Sequence, residues 1–192
     1  TEKRTTPFPY NVELGHIQPA NLSEEQKDAI RQLIAKIGNA LKFEYCASHT
    51  ELKINERGIY IIETSPRLGG DYITSTLTPL STGVNIEDLL LRISLGEPIE
   101  TKHTITQCSG IRFFSFKEDS VITSIPKYDE IMSWPYMKHF LFKLALNDRV
   151  NKITSSLNRY GYIILQTNNR QEIDDVLNEY IDTITSKCVQ EV

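Results

Sequence analysis

The chain has 192 residues, 40% of them hydrophobic, and a formal net charge of −4, which lies within the range of one folded domain with a sizeable core. The acidic balance gives no basic footprint for nucleic acid, no apolar run approaches the roughly 20 residues that span a bilayer, and no signal peptide opens the sequence. Three cysteines and four scattered histidines lack the spacing of a zinc site, so reduced, buried thiols are expected. These features favour a cytoplasmic protein that binds neither nucleic acid nor membrane.

A capping-box pattern marks the first predicted helix. Ser23 is followed three residues later by Gln26, a spacing at which each side chain can bond the backbone N–H of the other residue. Apolar residues then recur at helical spacing until Lys42, where a β-rich run begins; they are Ile30, Leu33, Ile34, Ile37 and Leu41. The pattern predicts an amphipathic helix over this stretch.

A β-hairpin is predicted next, within "HTELKINERGIYIIETSPRLGG", residues 49–70. Two alternating apolar runs flank turn residues 55–58, and a three-residue loop ending at a positive-φ Gly58 places Glu51 opposite Glu63. Directly opposed carboxylates repel unless a proton or a cation neutralises them, and Mg2+ is the stronger candidate. The alternative is a solvated edge where the two acids splay apart, and a one-residue slip would turn them to opposite faces.

The residues after Glu63 strengthen the prediction of a ligand site. Ser65 shares the face of Glu63 in a strand, and Arg67 follows two positions later. Arginine can grip a phosphate or carboxylate through two parallel hydrogen bonds, and Gly69-Gly70 lets the backbone approach a ligand closely. The cluster indicates a metal and phosphate site, whereas a surface ion pair for Arg67 and a plain glycine loop are the alternatives.

A second helix is predicted after Asn85, which can cap it, and Gly96 with Pro98 should end it. A boundary near residues 97–104 divides the chain into two predicted domains. The first, 1–98, contains the metal and phosphate edge, and the second, 99–192, forms a C-terminal lobe.

The second half is predicted to alternate between strands and helices. Strand-like runs occupy residues 109–116, 119–125 and 159–167. Ser133 and Pro135 predict a helix that continues through Leu146, with Met137, Phe140, Leu141 and Leu144 on one face. Asn169 with Glu172 opens a last helix, whose inward residues are Ile173, Val176, Leu177, Tyr180, Ile181 and Ile184.

The hairpin motif resembles the metal-binding end of the ATP-grasp fold, whose usual pattern is Glu, a spacer and then Glu-x-Asn-x-Arg. "LSTGVNIEDLLLRISLGEP", residues 80–98, and "VELGHIQPANLSEEQ", residues 12–26, are similar to segments that follow and precede this motif in the carbamoyl-phosphate-synthase-like and L-amino-acid ligase branches. The resemblance extends from about residue 7 to 185. It implies an α+β fold, in which the C-terminal lobe of an ATP-grasp domain has a mainly antiparallel sheet with helices packed on it, followed by a small C-terminal α/β lobe.

The resemblance also implies roles for the motif residues. Glu51 and Glu63 would hold Mg2+, with Mn2+ as the alternative, against the phosphates of ATP. Ser65 takes the metal-ligand position where the family usually has Asn, and Arg67 would be catalytic by stabilising the acyl-phosphate and tetrahedral intermediates. For His49 the residue pattern favours a hydrogen-bonded structural histidine.

The substrate positions implied by the resemblance lie in two segments. Glu13 and His16 match positions that contact the amino-acid substrate in the amino-acid ligases. Arg67, Gly69 and Gly70 complete the implied substrate-binding set. The implied partners are a small-molecule carboxylate and an amine, and homodimerisation is left open.

The implied activity is an ATP-dependent ligation, in which a carboxylate is phosphorylated by ATP and an amine attacks the acyl phosphate. No lysine-bearing lobe precedes Glu13, so we expect the C-terminal part of a longer ligase, with the N-terminal lobes as partners and with no ATP turnover by this part alone. One alternative is a carbamoyl-phosphate-synthase or carboxylase type that acts on bicarbonate. Another is a non-catalytic nucleotide-binding or dimerisation module, which Ser65 favours.

Overall fold

The computed structural model describes residues 1–190. A π-helical turn at Ile73–Leu77 and a 3-10 turn at Ser156–Asn158 accompany nine strands and five α-helices within this range. In chain order the strands and helices are β1 (Glu2–Thr5), β2 (Glu13–Gln18), α1 (Glu24–Leu41), β3 (His49–Asn55), β4 (Gly58–Ser65), α2 (Thr78–Thr82), α3 (Ile86–Ser94), β5 (Cys108–Phe113), β6 (Val121–Ile122), α4 (Tyr128–Met132), β7 (Met137–Phe142), β8 (Gly161–Thr167), α5 (Arg170–Cys188) and β9 (Val189–Gln190).

The described residues form two compact units. Unit 1 contains Thr1–Ala20 together with the described residues from Ile105 onward, and unit 2 contains Asn21–Thr104. The division after Thr104 falls at the end of the predicted boundary region. The first twenty residues belong to unit 1 because β2 pairs with β5. This pairing joins strands that the predicted domains 1–98 and 99–192 separate.

Unit 1 is built on a five-stranded antiparallel sheet in the order β1-β2-β5-β8-β7. The predicted strands at 109–116 and 159–167 are confirmed as β5 and β8, and the predicted last helix is confirmed as α5, capped by Asn169, whose side chain accepts from the Glu172 backbone N–H at 2.8 Å. Helix α5 packs on β5 and β8. Its inward stripe joins a core that includes Ile17, Phe114, Ile163, Leu165, Ile173, Leu177 and Ile184.

The predicted helix from Ser133 to Leu146 is wrong, because residues 137–142 form β7 at the edge of this sheet. A bulge between Met137 and His139 places two exposed residues between the buried Met137 and Phe140. The bulge therefore spaces two inward residues three positions apart, and this spacing imitates a helical stripe. Phe140 meets the Phe114 ring edge to face, with the ring centroids 6.1 Å apart.

Unit 2 contains α1, the β3–β4 hairpin and α3. The capping box is confirmed, with Ser23 and Gln26 bonded reciprocally at the start of α1. Lys42 ends this helix in the left-handed conformation. Asn85 caps α3 by accepting from the Asp88 backbone N–H at 3.0 Å, as the sequence predicts.

The predicted α+β class is confirmed by the antiparallel sheet, the hairpin and the helices of these two units. No helix among the described residues is both long and apolar enough to cross a membrane.

Candidate metal and phosphate site

The β3–β4 hairpin places Glu51 directly opposite Glu63, as predicted. The turn is shorter than expected, because Asn55 pairs with Gly58 across a two-residue loop. A bulge at Ile62 then adds one residue to β4, since Leu52 pairs with Ile61 while the next pair is Glu51 and Glu63. The predicted three-residue loop is thus wrong, although the predicted pairing of Glu51 with Glu63 is right.

Both carboxylates lie on one face of the hairpin, together with an imidazole. One oxygen from each of Glu51 and Glu63 and one ring nitrogen of His49 all lie within 4.8 Å of one another. His49 Nε2 lies 3.5 Å from Glu51 Oε1. The exposed side-chain fraction rises from 16% at His49 and 25% at Glu51 to 52% at Glu63, so the cluster opens to solvent on the Glu63 side.

Arg67 lies at this open side. Its Nη2 is 3.4 Å from Glu63 Oε1, and its Nη1 donates to the Leu68 carbonyl at 2.9 Å. A tight turn positions the residue, since the Arg67 backbone N–H donates to the Ser65 carbonyl at 2.9 Å. Half of the Arg67 side chain is exposed, which leaves guanidinium donors accessible to an anion.

The two glycines after Arg67 have different surroundings. The Gly69 N–H donates to Thr74 Oγ1 at 2.9 Å, and a Cβ at Gly69 would lie 2.9 Å from His49 Nδ1. A Cβ at Gly70 would meet nothing within 4 Å. Gly69 is therefore required for close packing against the imidazole, whereas Gly70 presents open backbone.

His49 is the residue of this cluster that the sequence interpretation missed. The available signal was its position two residues before Glu51, because alternate residues of a strand share a face. Ser65, predicted as a metal ligand, is the direct strand partner of His49.

Glu13 and His16 lie on β2 of unit 1. Glu13 Oε1 is 3.4 Å from Lys3 Nζ, and its carbonyl accepts from Arg159 Nη1 at 3.2 Å. His16 is 1% exposed and pairs with Ile111 of β5 in the middle of the sheet.

Unit 1 also holds an arginine cluster around Asp174 that the sequence interpretation did not identify. Arg4 Nη2 lies 2.5 and 2.6 Å from the two carboxylate oxygens, Arg112 Nη2 lies 3.3 Å from Oδ1, and Arg170 Nη1 lies 3.7 Å from Oδ2. Burial lowers the pKa of Arg112 to about 10, the charge of Arg4 acts in the same direction, and Asp174 opposes both. A second ion pair joins Arg170 to Glu2 at 3.0 Å.

Comparisons with known proteins give a family match over part of the chain. Residues 1–75 match the family model described as the ATP-grasp domain. Alanine--anticapsin ligase of Bacillus amyloliquefaciens is 33% identical over 83 residues, which is 43% of this chain and 17% of that protein.

Two solved structures have the same fold as nearly the whole chain. L-amino acid ligase from Bacillus licheniformis matches with a TM-score of 0.78 and 22% identity, over 94% of this chain and 47% of that one. Phosphoribosylglycinamide synthetase from Anaerococcus prevotii matches with a TM-score of 0.76 and 18% identity, over 99% of this chain and 48% of that one.

Residues 1–75 are thus similar to the ATP-grasp domain, and nearly the whole chain has the fold of these two solved structures. It spans about half the length of these two solved chains and 17% of the curated relative.

Proposed function

We propose that this chain supplies the metal and phosphate edge of an ATP-dependent carboxylate–amine ligase that acts on an amino acid. The observation that carries the proposal is the convergence of Glu51, Glu63 and Arg67 at one edge of the hairpin, within a segment that matches the ATP-grasp domain. The similarity to an alanine--anticapsin ligase favours an amino-acid substrate over bicarbonate.

The donor set of the hairpin fits Mg2+. This ion is typically held by one or two protein carboxylates and completes its shell with water and phosphate oxygens, and Glu51 with Glu63 offers two carboxylates on one face. Bound there with ATP, Mg2+ would neutralise charge on the phosphates. Ser65 is assigned here to a weaker, further ligand position.

Arg67 is assigned to the transferred phosphoryl group. Its half-exposed guanidinium lies beside Glu63 and can turn its donors to a phosphate oxygen. Hydrogen bonds between a guanidinium and a charged phosphate are stronger than those between neutral groups. A fixed positive charge at that place would stabilise negative charge as it develops during phosphoryl transfer and during amine attack.

The proposed substrate contacts lie in two separate segments of the chain. Glu13, with a carboxylate that is partly exposed, would bind the amino group of the substrate, whereas His16 is 1% exposed and is assigned a supporting role in β2. The open backbone at Gly70 would allow close approach of ligand to chain, and Gly69 would hold the adjacent loop against His49.

The decisive experiment compares Glu63→Gln with Glu56→Gln in the full-length protein that contains this chain. Glu56 lies in the hairpin turn and provides the matched loss of one charge. ADP release is measured with amino-acid pairs and, separately, with bicarbonate. We expect Glu63→Gln to lower amino-acid-dependent ADP release on the order of 100-fold or more, Glu56→Gln to leave it unchanged, and this chain alone to release no ADP.

Near-normal turnover by Glu63→Gln would remove the metal role of Glu63. ADP release that depends on bicarbonate and not on amino acids would replace the proposed substrate class.

A further inference from the structure

We propose that His49 is a third metal ligand of the hairpin cluster, and that it makes this cluster accept imidazole-binding transition metals such as Co2+ and Zn2+ without nucleotide. The inference rests on the proposed metal role of Glu51 and Glu63. His49 would add a nitrogen ligand to a site whose motif residues, Glu51, Glu63 and Ser65, offer only oxygen ligands.

The first support is the distance between His49 and Glu51. Their Nε2 and Oε1 atoms are 3.5 Å apart, which is long for a hydrogen bond. Two ligands of one tetrahedral ion at bond lengths of about 2.1 Å lie roughly 3.4 Å apart, and opposite ligands of an octahedral ion lie roughly 4.2 Å apart. The observed separation therefore suits two ligands of one ion better than a direct bond.

Glu63 lies within reach of the same ion. The three ligand atoms are all within 4.8 Å of one another, so bringing Glu63 to the roughly 3.4 Å ligand separation of a tetrahedral ion needs a shift of at most about 1.4 Å. Half of the Glu63 side chain is exposed, and a rotation of this chain end can supply that shift without disturbing a packed core.

The second support is the orientation of the imidazole. The Nδ1 edge of His49 packs against Gly69, where an added Cβ would approach to 2.9 Å, while Nε2 points towards Glu51. The His49 side chain is 84% buried, since 16% is exposed. The ring is thus held with one nitrogen directed at the carboxylates before any ion arrives.

The identity of the ligands determines the class of metal. Mg2+ binds oxygen ligands and keeps several waters, whereas imidazole suits Zn2+, Ni2+ and Cu2+, and affinities for nitrogen and oxygen sites rise from Mn2+ to Co2+ and beyond. A site with one imidazole and two carboxylates should therefore bind Co2+ more tightly than Mg2+. Removal of the imidazole should weaken Co2+ far more than Mg2+.

The test titrates the nucleotide-free chain with Co2+ alone and with Mg2+ alone, by calorimetry and, for Co2+, by visible absorption. The variants are His49→Gln, Glu63→Gln and the control His139→Gln, which changes an exposed histidine of β7 in unit 1. We expect His49→Gln to weaken Co2+ binding tenfold or more and to change Mg2+ binding less than twofold. His139→Gln should match the unaltered chain.

A second measurement needs no substitution. Zn2+ added to the unaltered chain should shift the 15N signal of His49 Nε2 and leave the ring signals of His139 in place. An unshifted His49 signal at saturating Zn2+ would overturn the proposal even if His49→Gln failed to fold.

Three calorimetric outcomes would also overturn it. Loss of Co2+ binding in Glu63→Gln without any change in His49→Gln would mean a site of carboxylates alone, and equal weakening in His139→Gln would mean surface binding. Absence of Co2+ binding altogether would refute the third ligand as well. The proposed ligase function would survive all three, because its Mg2+ arrives with ATP and is judged by ADP release.

Discussion

Glu51 faces Glu63 across the hairpin because a bulge at Ile62 shifts the pairing by one residue beyond Leu52 and Ile61. Continuation of the turn-proximal register would place Ile62 opposite Glu51 instead. Bulges re-aim side chains and are frequent next to active sites. The bulge thus brings together two like charges, an arrangement that costs stability and has a use when a cation is shared.

We predict that Glu51→Gln stabilises the chain when metal is absent. The substitution keeps the side-chain shape and removes a like charge directly opposite Glu63, so the free energy of unfolding should rise by about 0.5 kcal/mol. Thermal unfolding in a chelator at low salt measures the change, with Glu56→Gln in the turn as the control. A fall in stability would show that the two carboxylates do not repel each other.

The contrast between Gly69 and Gly70 gives a second prediction. Gly69→Ala should displace the His49 ring, because the new Cβ would lie 2.9 Å from Nδ1, whereas Gly70→Ala has open space. NMR of the imidazole signals should therefore show a large shift for Gly69→Ala and almost none for Gly70→Ala. Equal shifts in both variants would contradict the packing of His49 against Gly69.

The third prediction concerns β7 and tests whether Phe140 and Leu141 lie in a strand or in a helix. Phe140 is 8% exposed and Leu141 is 38% exposed, since neighbouring strand residues face opposite ways. Phe140→Ala should cost about 3–5 kcal/mol, and Leu141→Ala should cost under about 1 kcal/mol. Denaturant unfolding measures both, and similar large losses would favour the helix in which both residues face inward.

The fourth prediction concerns Asp174, which forms ion pairs with the nearly buried Arg112 and with two further arginines. Asp174→Asn should destabilise unit 1 by about 3 kcal/mol, since it leaves a buried guanidinium without its counter-charge. Asp175→Asn makes the same charge change at an exposed position of α5 and should stay within about 0.5 kcal/mol. Chemical denaturation that gave equal losses for the two would contradict the assignment.

The buried cysteines provide the fifth prediction. Burial raises the pKa of Cys188 from 9.0 to about 11 and also raises that of Cys108, so both thiols should resist iodoacetamide at pH 8 while the partly exposed Cys46 reacts. Mass spectrometry of the alkylated peptides measures the order of reaction. All three should react once the chain is unfolded.

The raised pKa of Cys188 also determines how the stability of the chain changes with pH. Between pH 9 and 11 the unfolded chain loses the Cys188 proton before the folded chain does, so the Cys188 contribution to stability falls as pH rises through this window. Below pH 9 the contribution is fully present. A Cys188→Ala variant should therefore show a shallower decline of unfolding free energy with pH than the unaltered chain.

Local patterns in the sequence predicted the elements whose determinants are themselves local. The capping box at Ser23 and Gln26 and the Asn85 cap each act within a few positions, and both are confirmed. The opposition of Glu51 and Glu63 was predicted correctly, although a shorter loop and a bulge produce it. A bulge depends on the packing of a whole strand, and no signal near Ile62 announces it.

The predictions that are wrong or incomplete concern residues whose structure depends on contacts with distant parts of the chain. Met137 and Phe140 have helical spacing, and only their pairing with β8 makes residues 137–142 a strand. The sequence favours a structural role for His49, because its approach to Gly69 depends on the path of the chain after Arg67 and leaves no local signal. Side-chain convergence of this kind follows from tertiary structure, which periodicity does not encode.

The pairing of Gly15 with Arg112 constrains the order in which the chain can fold. In the sequence, all of unit 2, residues 21–104, separates these two strands. Closing a flexible loop of that length costs roughly 4 kcal/mol of chain entropy. Structure that forms first within residues 21–104 shortens the segment left to close. The hairpin and α1, whose contacts are local, can therefore form before β2 and β5 of unit 1 pair.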